Sequence, residues 1–226
     1  MIKVKICGIT AAQDALAAAE YGADAVGFIF YPRSPRWIEP ERAREIIAKL
    51  PPFVTAVGVF VNEDPEIIRQ AMLASGAGVV QLHGDEPPSA CSVWPRTIKA
   101  FRIRDANDIG RIREYIGAMT AVTSAAYLLD SYSEKEYGGS GKSFNWELAR
   151  GVLNSGNSGQ AGSSGHSTRI ILSGGLTPDN IEEAVRTVAP YAVDASSGVE
   201  ISKGIKDHGK MKSFIERAKV ASRLRG

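Results

Sequence analysis

The sequence predicts an α/β fold, a single (β/α)8 TIM barrel of eight parallel strands with outer helices. Short β-branched runs alternate with amphipathic stretches along the whole chain. The runs are apolar nearly throughout, so both faces of the sheet must be covered, and 226 residues suit one such barrel. The prediction is therefore one domain over residues 1–226. An open doubly wound sheet is the alternative, and two small domains are less favoured.

Eight apolar runs mark the strands. In chain order they read VKIC, AVGFIF, VTAVGVFV, GVVQL, RTIKAF, AYLLD, RIILS and YAVDA. Several of them end in, or are followed by, small or ionisable residues. Because a parallel barrel gathers the carboxyl ends of its strands at one rim, we expect the chemistry to lie there.

The segments between the runs carry helical periodicity. Apolar residues recur at i, i+3, i+4 and i+7, as in residues 43–50, in residues 181–188 and around Phe214 of the last helix. Start signals precede the third, sixth and seventh helices. They are Asn62 to Pro65, Asn145 and Thr177-Pro178.

One stretch, NSGNSGQAGSSGHS at residues 154–167, breaks this rhythm. A Gly/Ser-rich stretch cannot bury a core, so it predicts a flexible insertion between the sixth helix and the seventh strand. In a barrel that connection lies on the face opposite the active site. We therefore expect mobility there and no catalytic role.

Composition narrows the functional class. Hydrophobic residues make up 44%, charged residues 23%, and the net charge is +2, so nothing favours nucleic acid or a membrane surface as partner. The chain contains no apolar run of about 18 residues and no secretion signal at its start. Cys7 and Cys91 lack metal-ligand spacing and are typical of reduced cytosolic thiols. We expect a cytoplasmic enzyme, and monomer and homodimer both remain open.

Cys7 and Asp130 are the candidate acid–base pair. Cys7 ends the first strand. A buried cysteine often packs as a small hydrophobic residue. A functional thiol instead acts as nucleophile or general base, with its pKa tuned downward from ~8.5. Asp130 closes AYLLD, where an apolar strand mouth can raise a carboxyl pKa and create a general acid. A loop cap or an ion pair is the alternative for Asp130. Across a barrel mouth the two would flank one small substrate.

The glycine-rich loop YGGSGKSF follows Asp130 and invites a nucleotide-binding interpretation. A GxxxxGK[ST] loop would need glycine at position 136, where the chain has Glu136. Gly139, Gly141 and Lys142 instead predict a mobile lid over the sixth strand that closes and excludes water, with a plain surface loop as the alternative.

Two small-residue loops follow the seventh and eighth strands. SGGL contains Gly174 and Gly175, and ASSGVE contains Ser196, Ser197 and Gly198. In barrels such loops, with a short extra helix, present backbone N–H groups to a phosphate. One glycine pair alone is a weak signal, but two loops after consecutive strands predict a phosphorylated substrate.

Further polar residues lie at the ends of other strands. Arg33 and Arg36 lie in FYPRSPRWI, where a guanidinium can bind a substrate carboxylate in bidentate fashion, although either can be a solvated loop arginine. His83 in QLHGDE and Asp194 in AVDAS can be ligand contacts or structural hydrogen-bonding groups.

Together these segments resemble one family, phosphoribosylanthranilate isomerase of tryptophan biosynthesis. The resemblance covers nearly the whole chain in order, and KICG with Cys7 and the LLD…GGSGK segment are specific to the family. The segments are KICGIT, GFIFYPRSPRWI, VGVFVN, VQLHGDE, LLDSYSEKEYGGSGKSFNW, LSGGLTPDNI and VDASSGVE. Two departures are the long insertion at 154–167 and Asn145, where the family usually has aspartate; either residue can cap a helix.

The resemblance implies an Amadori rearrangement of N-(5-phospho-β-D-ribosyl)anthranilate to 1-(2-carboxyphenylamino)-1-deoxy-D-ribulose 5-phosphate, with no metal and no cofactor. By position, Asp130 resembles the general acid that protonates the furanose ring oxygen. Cys7 resembles the general base that takes the proton from C2 of the sugar.

The resemblance also implies binding roles. Arg36 matches the arginine that faces the anthranilate carboxylate, the loops around Gly175 and Ser197-Gly198 match the phosphate site, and Asp194 and His83 match other pocket positions.

Rival functions differ at the first strand. The histidine-pathway aminoaldose isomerase carries aspartate there, and indole-glycerol-phosphate synthase relies on a lysine–glutamate set, so Cys7 argues against both. A non-catalytic phosphate-binding barrel and a redox sensor using Cys7 are alternatives of another class. A sensor needs a resolving partner, and Cys91, in a predicted helix, is not expected to supply one.

Overall fold

The computed structural model describes residues 1–119, 125–131, 146–153 and 168–224. Eight parallel strands close into a barrel in chain order, with β8 pairing with β1, which confirms the predicted (β/α)8 barrel. The strands are β1 (Lys3–Cys7), β2 (Ala25–Ile29), β3 (Thr55–Phe60), β4 (Val79–Leu82), β5 (Thr97–Ile103), β6 (Ala125–Ser131), β7 (Ile170–Leu172) and β8 (Ala192–Ala195).

Helices surround the barrel and connect its strands. They are α1 (Ala12–Glu20), α2 (Pro40–Ile47), α3 (Pro65–Ser75), α4 (Pro88–Ser92), α5 (Ala106–Ala118), α6 (Trp146–Leu153), α7 (Ile181–Val188) and α8 (His208–Arg223). After β8 the chain adds a short 3-10 helix (Ser197–Val199) and an antiparallel hairpin of β9 (Glu200–Ser202) and β10 (Ile205–Lys206). Within the described ranges, no helix has both the length and the apolar character needed to cross a membrane.

The two predicted start signals that the structure describes both precede their helices. Asp64 caps α3 by accepting from the Glu66 amide, with Pro65 as the first helical residue. Thr177-Pro178 precede α7 as predicted: the Asn180 side chain accepts from the Thr177 amide and closes a turn, and α7 begins at Ile181. Asn145, the lid glycines and the insertion at 154–167 lie outside the described residues.

The core has two parts. The larger part packs the outer faces of the strands against the helices, and α7 contributes the buried stripe predicted for it. A smaller apolar layer fills the inside of the barrel. It consists of Val57, Val79, Ile98, Ala100, Ala126, Leu128, Ile171 and Ala192. Buried charged side chains lie nearer the carboxyl ends of the strands, among them Lys5 on β1, Asp130 on β6 and Asp194 on β8, and the last two line the pocket there.

Candidate active site

A pocket at the carboxyl ends of the strands brings together the predicted site residues that the structure describes. It is a concave site, partly open to solvent, at the position where parallel barrels bind small molecules. Ten predicted residues line it: Cys7, Arg36, His83, Asp130, Gly174, Gly175, Asp194, Ser196, Ser197 and Gly198. Gly139, Gly141 and Lys142 fall outside the described residues, and Arg33 is exposed on its loop.

Cys7 is the last residue of β1 and is buried as a free thiol. Burial raises the pKa of the Cys7 thiol above its ordinary value, although the nearby Lys5 ammonium lowers it. The expectation of a downward shift is therefore wrong in direction, because loss of solvent outweighs the neighbouring cation. Cys91 lies on α4, where its Sγ is 3.3 Å from the Tyr115 hydroxyl.

Lys5 was not anticipated from the sequence. It precedes Cys7 by two residues, so both side chains point to the same side of β1. Its Nζ donates to Oδ1 of Asp194 at 2.9 Å, and the Ser173 hydroxyl donates to Oδ2 at 3.3 Å. Burial lowers the pKa of Lys5, but attraction to Asp194 and Cys7 more than offsets it, so the pKa lies above its ordinary value. The available signal was a lysine two residues before Cys7, on the same side of the strand and flanked by Val4 and Ile6.

Asp130 lies near the end of β6 and is buried beside His83. Nε2 of His83 is 3.4 Å from Oδ2 of Asp130, a contact too poorly aligned to count as a hydrogen bond, and Nε2 has no other hydrogen-bond partner among the described residues. On the other side of the ring, Nε2 of Gln81 lies 3.0 Å from Nδ1. His83 is therefore the residue with which Asp130 would form an ion pair, the alternative to its role as an acid, and His83 also lines the pocket.

Arg36 is buried in a bidentate ion pair with Glu200. Its Nε and Nη2 donate to the two carboxylate oxygens at 2.8 Å each. Lys206 donates from Nζ to Glu200 at 2.8 Å and to the Cys7 carbonyl at 2.6 Å. Burial raises the pKa of Glu200, but Arg36 and Lys206 more than offset it and hold the pKa below the ordinary value.

This pairing revises the expectation for Arg36. The edge of the guanidinium that would grip a substrate carboxylate through Nε and Nη2 is committed to Glu200, which lies on a hairpin that the strand pattern did not predict. Burial lowers the pKa of Lys206 below its ordinary value, although Glu200 raises it, so Arg36 is the cation of this cluster that lines the pocket.

The two predicted phosphate loops lie side by side. Gly174 and Gly175 have φ values of 84° and 66°, a conformation that favours glycine. There is no room for a side chain at Gly198, since a Cβ there would lie 1.9 Å from the Leu176 carbonyl oxygen. The Ser196 hydroxyl is buried with no hydrogen-bond partner in the part of the chain that is described. The short extra helix expected after the eighth strand is present as the 3-10 turn Ser197–Val199.

Comparisons with known proteins agree on one family. The family model described as N-(5'phosphoribosyl)anthranilate (PRA) isomerase matches residues 4–217. The N-(5'-phosphoribosyl)anthranilate isomerase of Trichlorobacter lovleyi is 54% identical over 222 residues, which cover 98% of this chain and 100% of that protein.

Solved structures agree as well. A phosphoribosyl anthranilate isomerase in complex with reduced 1-(o-carboxyphenylamino)-1-deoxyribulose 5-phosphate is 42% identical, with a TM-score of 0.80 over 97% of this chain and 100% of that one. A structure described as monomers of the dimeric phosphoribosylanthranilate isomerase from Thermotoga maritima is 40% identical, with a TM-score of 0.80 and the same coverage.

Proposed function

The chain belongs to the N-(5'-phosphoribosyl)anthranilate isomerase family and is an isomerase of tryptophan biosynthesis, and we propose that it works by general acid–base catalysis with Asp130 and Cys7. The observation that carries this assignment is that an ionisable thiol on β1 and a carboxyl group on β6 line one buried pocket. An aldose–ketose rearrangement needs one group to give a proton and another to take one.

Asp130 gives its proton to the furanose ring oxygen as the bond from that oxygen to C1 breaks, which leaves a Schiff base between C1 and the anthranilate nitrogen. The Cys7 thiolate then takes the proton from C2, and the C–H electron pair forms the C1–C2 double bond of an enolamine. Tautomerisation gives the ketone, 1-(2-carboxyphenylamino)-1-deoxy-D-ribulose 5-phosphate. The protons only move within the substrate and two side chains, so the reaction consumes no cofactor and no metal.

The rest of the pocket binds the two charged ends of the substrate. The loops containing Gly174, Gly175 and Ser196 to Gly198 receive the phosphate, where the unpaired Ser196 hydroxyl and backbone N–H groups are suitable donors. The positive charge of Arg36, which lines the pocket, attracts the anthranilate carboxylate. Gly139 and Gly141 stay a sequence prediction of a lid over β6.

We also propose that residues 1–226 act as one domain, in the cytoplasm, with a small phosphorylated molecule as the only required partner and neither nucleic acid nor membrane. Monomer and homodimer both fit, and a dimeric state is named for the related enzyme of Thermotoga maritima.

The test follows turnover through the fluorescence of phosphoribosylanthranilate in the wild type, Cys7→Ala and Asp130→Asn. Each variant should lose about 10²- to 10⁴-fold in kcat, because each removes one proton transfer. Cys91→Ala is the matched control, since it removes the thiol that lies against Tyr115 and away from the pocket. Folded Cys7→Ala or Asp130→Asn protein with near-normal turnover would overturn the assignment.

A further inference from the structure

Lys5 and Cys7 share one small space inside the barrel. The neighbouring strand offers Gly27 opposite Cys7, and a Cβ at Gly27 would lie 2.7 Å from the Cys7 Sγ and 3.2 Å from the Lys5 Nζ. The thiol and the ammonium therefore both lie within 3.2 Å of a single point that only glycine leaves open. This brings a positive charge next to the sulfur.

The ammonium of Lys5 is held in place from the far side. Lys5 is 3% exposed, and its Nζ donates to Asp194, whose second oxygen accepts from Ser173. A buried ammonium without a carboxylate partner would be strongly unfavourable, so Asp194 is what allows a charged lysine at this depth. When Cys7 is protonated, the Lys5–Asp194 pair is neutral. When Cys7 is ionised, the Lys5 ammonium interacts with two anions, the Asp194 carboxylate and the Cys7 thiolate.

Within the described part of the chain, few other charges lie near Cys7. Besides Lys5 on its own strand and Asp194 on β8, Lys206 on β10 reaches the Cys7 main-chain carbonyl, and β2 contributes the uncharged Gly27. Asp130 and His83 line the same pocket on β6 and just after β4. Among these groups, Lys5 is the cation whose ammonium shares the space beside Gly27 with the thiol, and its charge acts on the thiol more strongly than that of Lys206.

We propose that Lys5 is a positioning residue for the proton transfer at Cys7: its ammonium, anchored by Asp194, stabilises the thiolate that accepts the proton. The inference rests on the proposed role of Cys7 as the base. The relevant step is the ionisation of the thiol, in which the proton leaves Sγ for solvent and the negative charge stays next to Lys5.

The two halves of the ion pair act on Cys7 in opposite directions. Lys5 lowers the pKa of the Cys7 thiol through its positive charge, whereas the negative charge of Asp194 raises it. Removing Lys5 should therefore make Cys7 harder to ionise, and removing the charge of Asp194 should make it easier. A purely structural role for the pair predicts no such opposition, because either change leaves one buried charge uncompensated.

The experiment measures the rate of Cys7 alkylation by iodoacetamide across pH without substrate, with Cys7 and Cys91 peptides separated by mass spectrometry. For Lys5→Met we expect a higher titration midpoint and, at about pH 8, a rate lower by about tenfold or more. For Asp194→Asn we expect a lower midpoint and faster alkylation. Lys5→Arg keeps the charge and should keep the midpoint close to that of the wild type.

A second buried pair supplies the control. Lys99 donates to Glu86 at 2.7 Å, so Lys99→Met breaks a comparable pair without touching Cys7 and should leave its midpoint unchanged. If circular dichroism shows that Lys5→Met does not fold, Lys5→Met/Asp194→Asn replaces it, since that variant buries no unpaired charge. Its midpoint should still rise, because Lys5 affects the thiol more strongly than Asp194 does.

A wild-type midpoint in Lys5→Met, or shifts of the same sign in Lys5→Met and Asp194→Asn, would overturn the inference. Failure of the proposed function is a separate outcome. If Cys7→Ala keeps its turnover, Cys7 is not the base, yet the alkylation midpoints still report whether Lys5 controls the thiol.

Discussion

Nε2 of His83 lies 3.4 Å from Oδ2 of Asp130 at the rim of the barrel. The Gln81 amide nitrogen lies 3.0 Å from Nδ1 on the opposite edge of the ring. When that amide donates to Nδ1, the imidazole proton is on Nε2 and faces the carboxyl group of Asp130. An Nε2–H of His83 can thus stabilise the negative charge that stays on the Asp130 carboxylate after it gives up its proton.

Removing this partner should slow the reaction. We expect His83→Ala to lower kcat by about tenfold, since a hydrogen bond to a charged group contributes about 1.5–3 kcal/mol when it is well formed. His208→Ala is the matched control, because that imidazole pairs with Asp14 and does not line the pocket. Turnover measured by substrate fluorescence checks both variants, and an unchanged kcat in His83→Ala contradicts the prediction.

The buried cluster around Glu200 should dominate local stability. Glu200→Gln leaves Arg36 and Lys206 as two cations without their carboxylate, so we expect a loss of about 3–5 kcal/mol in the free energy of unfolding. Glu182→Gln breaks an exposed pair with Arg186 and should change that free energy by less than about 1 kcal/mol. Urea titration of both variants measures the difference, and equal effects would refute the expectation.

The same cluster predicts how stability depends on pH. The pKa of Glu200 lies below its ordinary value of 4.5 in the folded protein, because Arg36 and Lys206 outweigh the effect of burial. Its contribution is therefore complete above 4.5 and is lost as pH falls below that value towards the lowered folded pKa.

Urea unfolding repeated at falling pH tests this dependence. The wild type should lose stability more steeply than Glu200→Gln below the ordinary glutamate pKa of 4.5, whereas Glu182→Gln should follow the wild type. Parallel curves for the wild type and Glu200→Gln would show that Glu200 is not the group responsible.

Most of the barrel could be predicted from the local hydrophobic pattern of the sequence. The eight strands lie within a residue or two of the apolar runs, because strands covered on both faces leave a continuous hydrophobic signature. The sequence predicted site residues that lie at or just after the ends of those runs, such as Cys7, His83, Asp130 and Asp194. The closed barrel brings these strand ends together at one rim.

The ion-pair partners of the site residues could not be predicted from the local pattern. Lys5 and Asp194 are separated by 189 positions, and Arg36 and Glu200 by 164, so each pair exists only once the barrel closes. Glu200 also lies on a short hairpin that has no place in a regular strand–helix repeat. The direction of the Cys7 pKa shift depends on burial, which a strand-end position does not determine.

The raised pKa of Cys7 has a consequence for activity. A base works only when deprotonated, and burial keeps the Cys7 thiol protonated to higher pH than an ordinary cysteine. We therefore expect kcat/KM to rise as pH increases from neutral towards and beyond the ordinary thiol value of 9.0. Cys91→Ala should keep this alkaline limb. A profile that is already flat at neutral pH would mean that the essential base titrates lower.

The contact between the two phosphate loops should control substrate affinity. In Gly198→Ala the new Cβ would lie 1.9 Å from the Leu176 carbonyl oxygen, so the loops after β7 and β8 must move apart. Because the phosphate is bound in both ground state and transition state, we expect KM to rise by about tenfold or more while kcat changes less. Gly110→Ala on α5, where a Cβ meets nothing within 4 Å, should leave KM unaltered. Equal KM values for the two variants would show that this close approach does not shape the phosphate site.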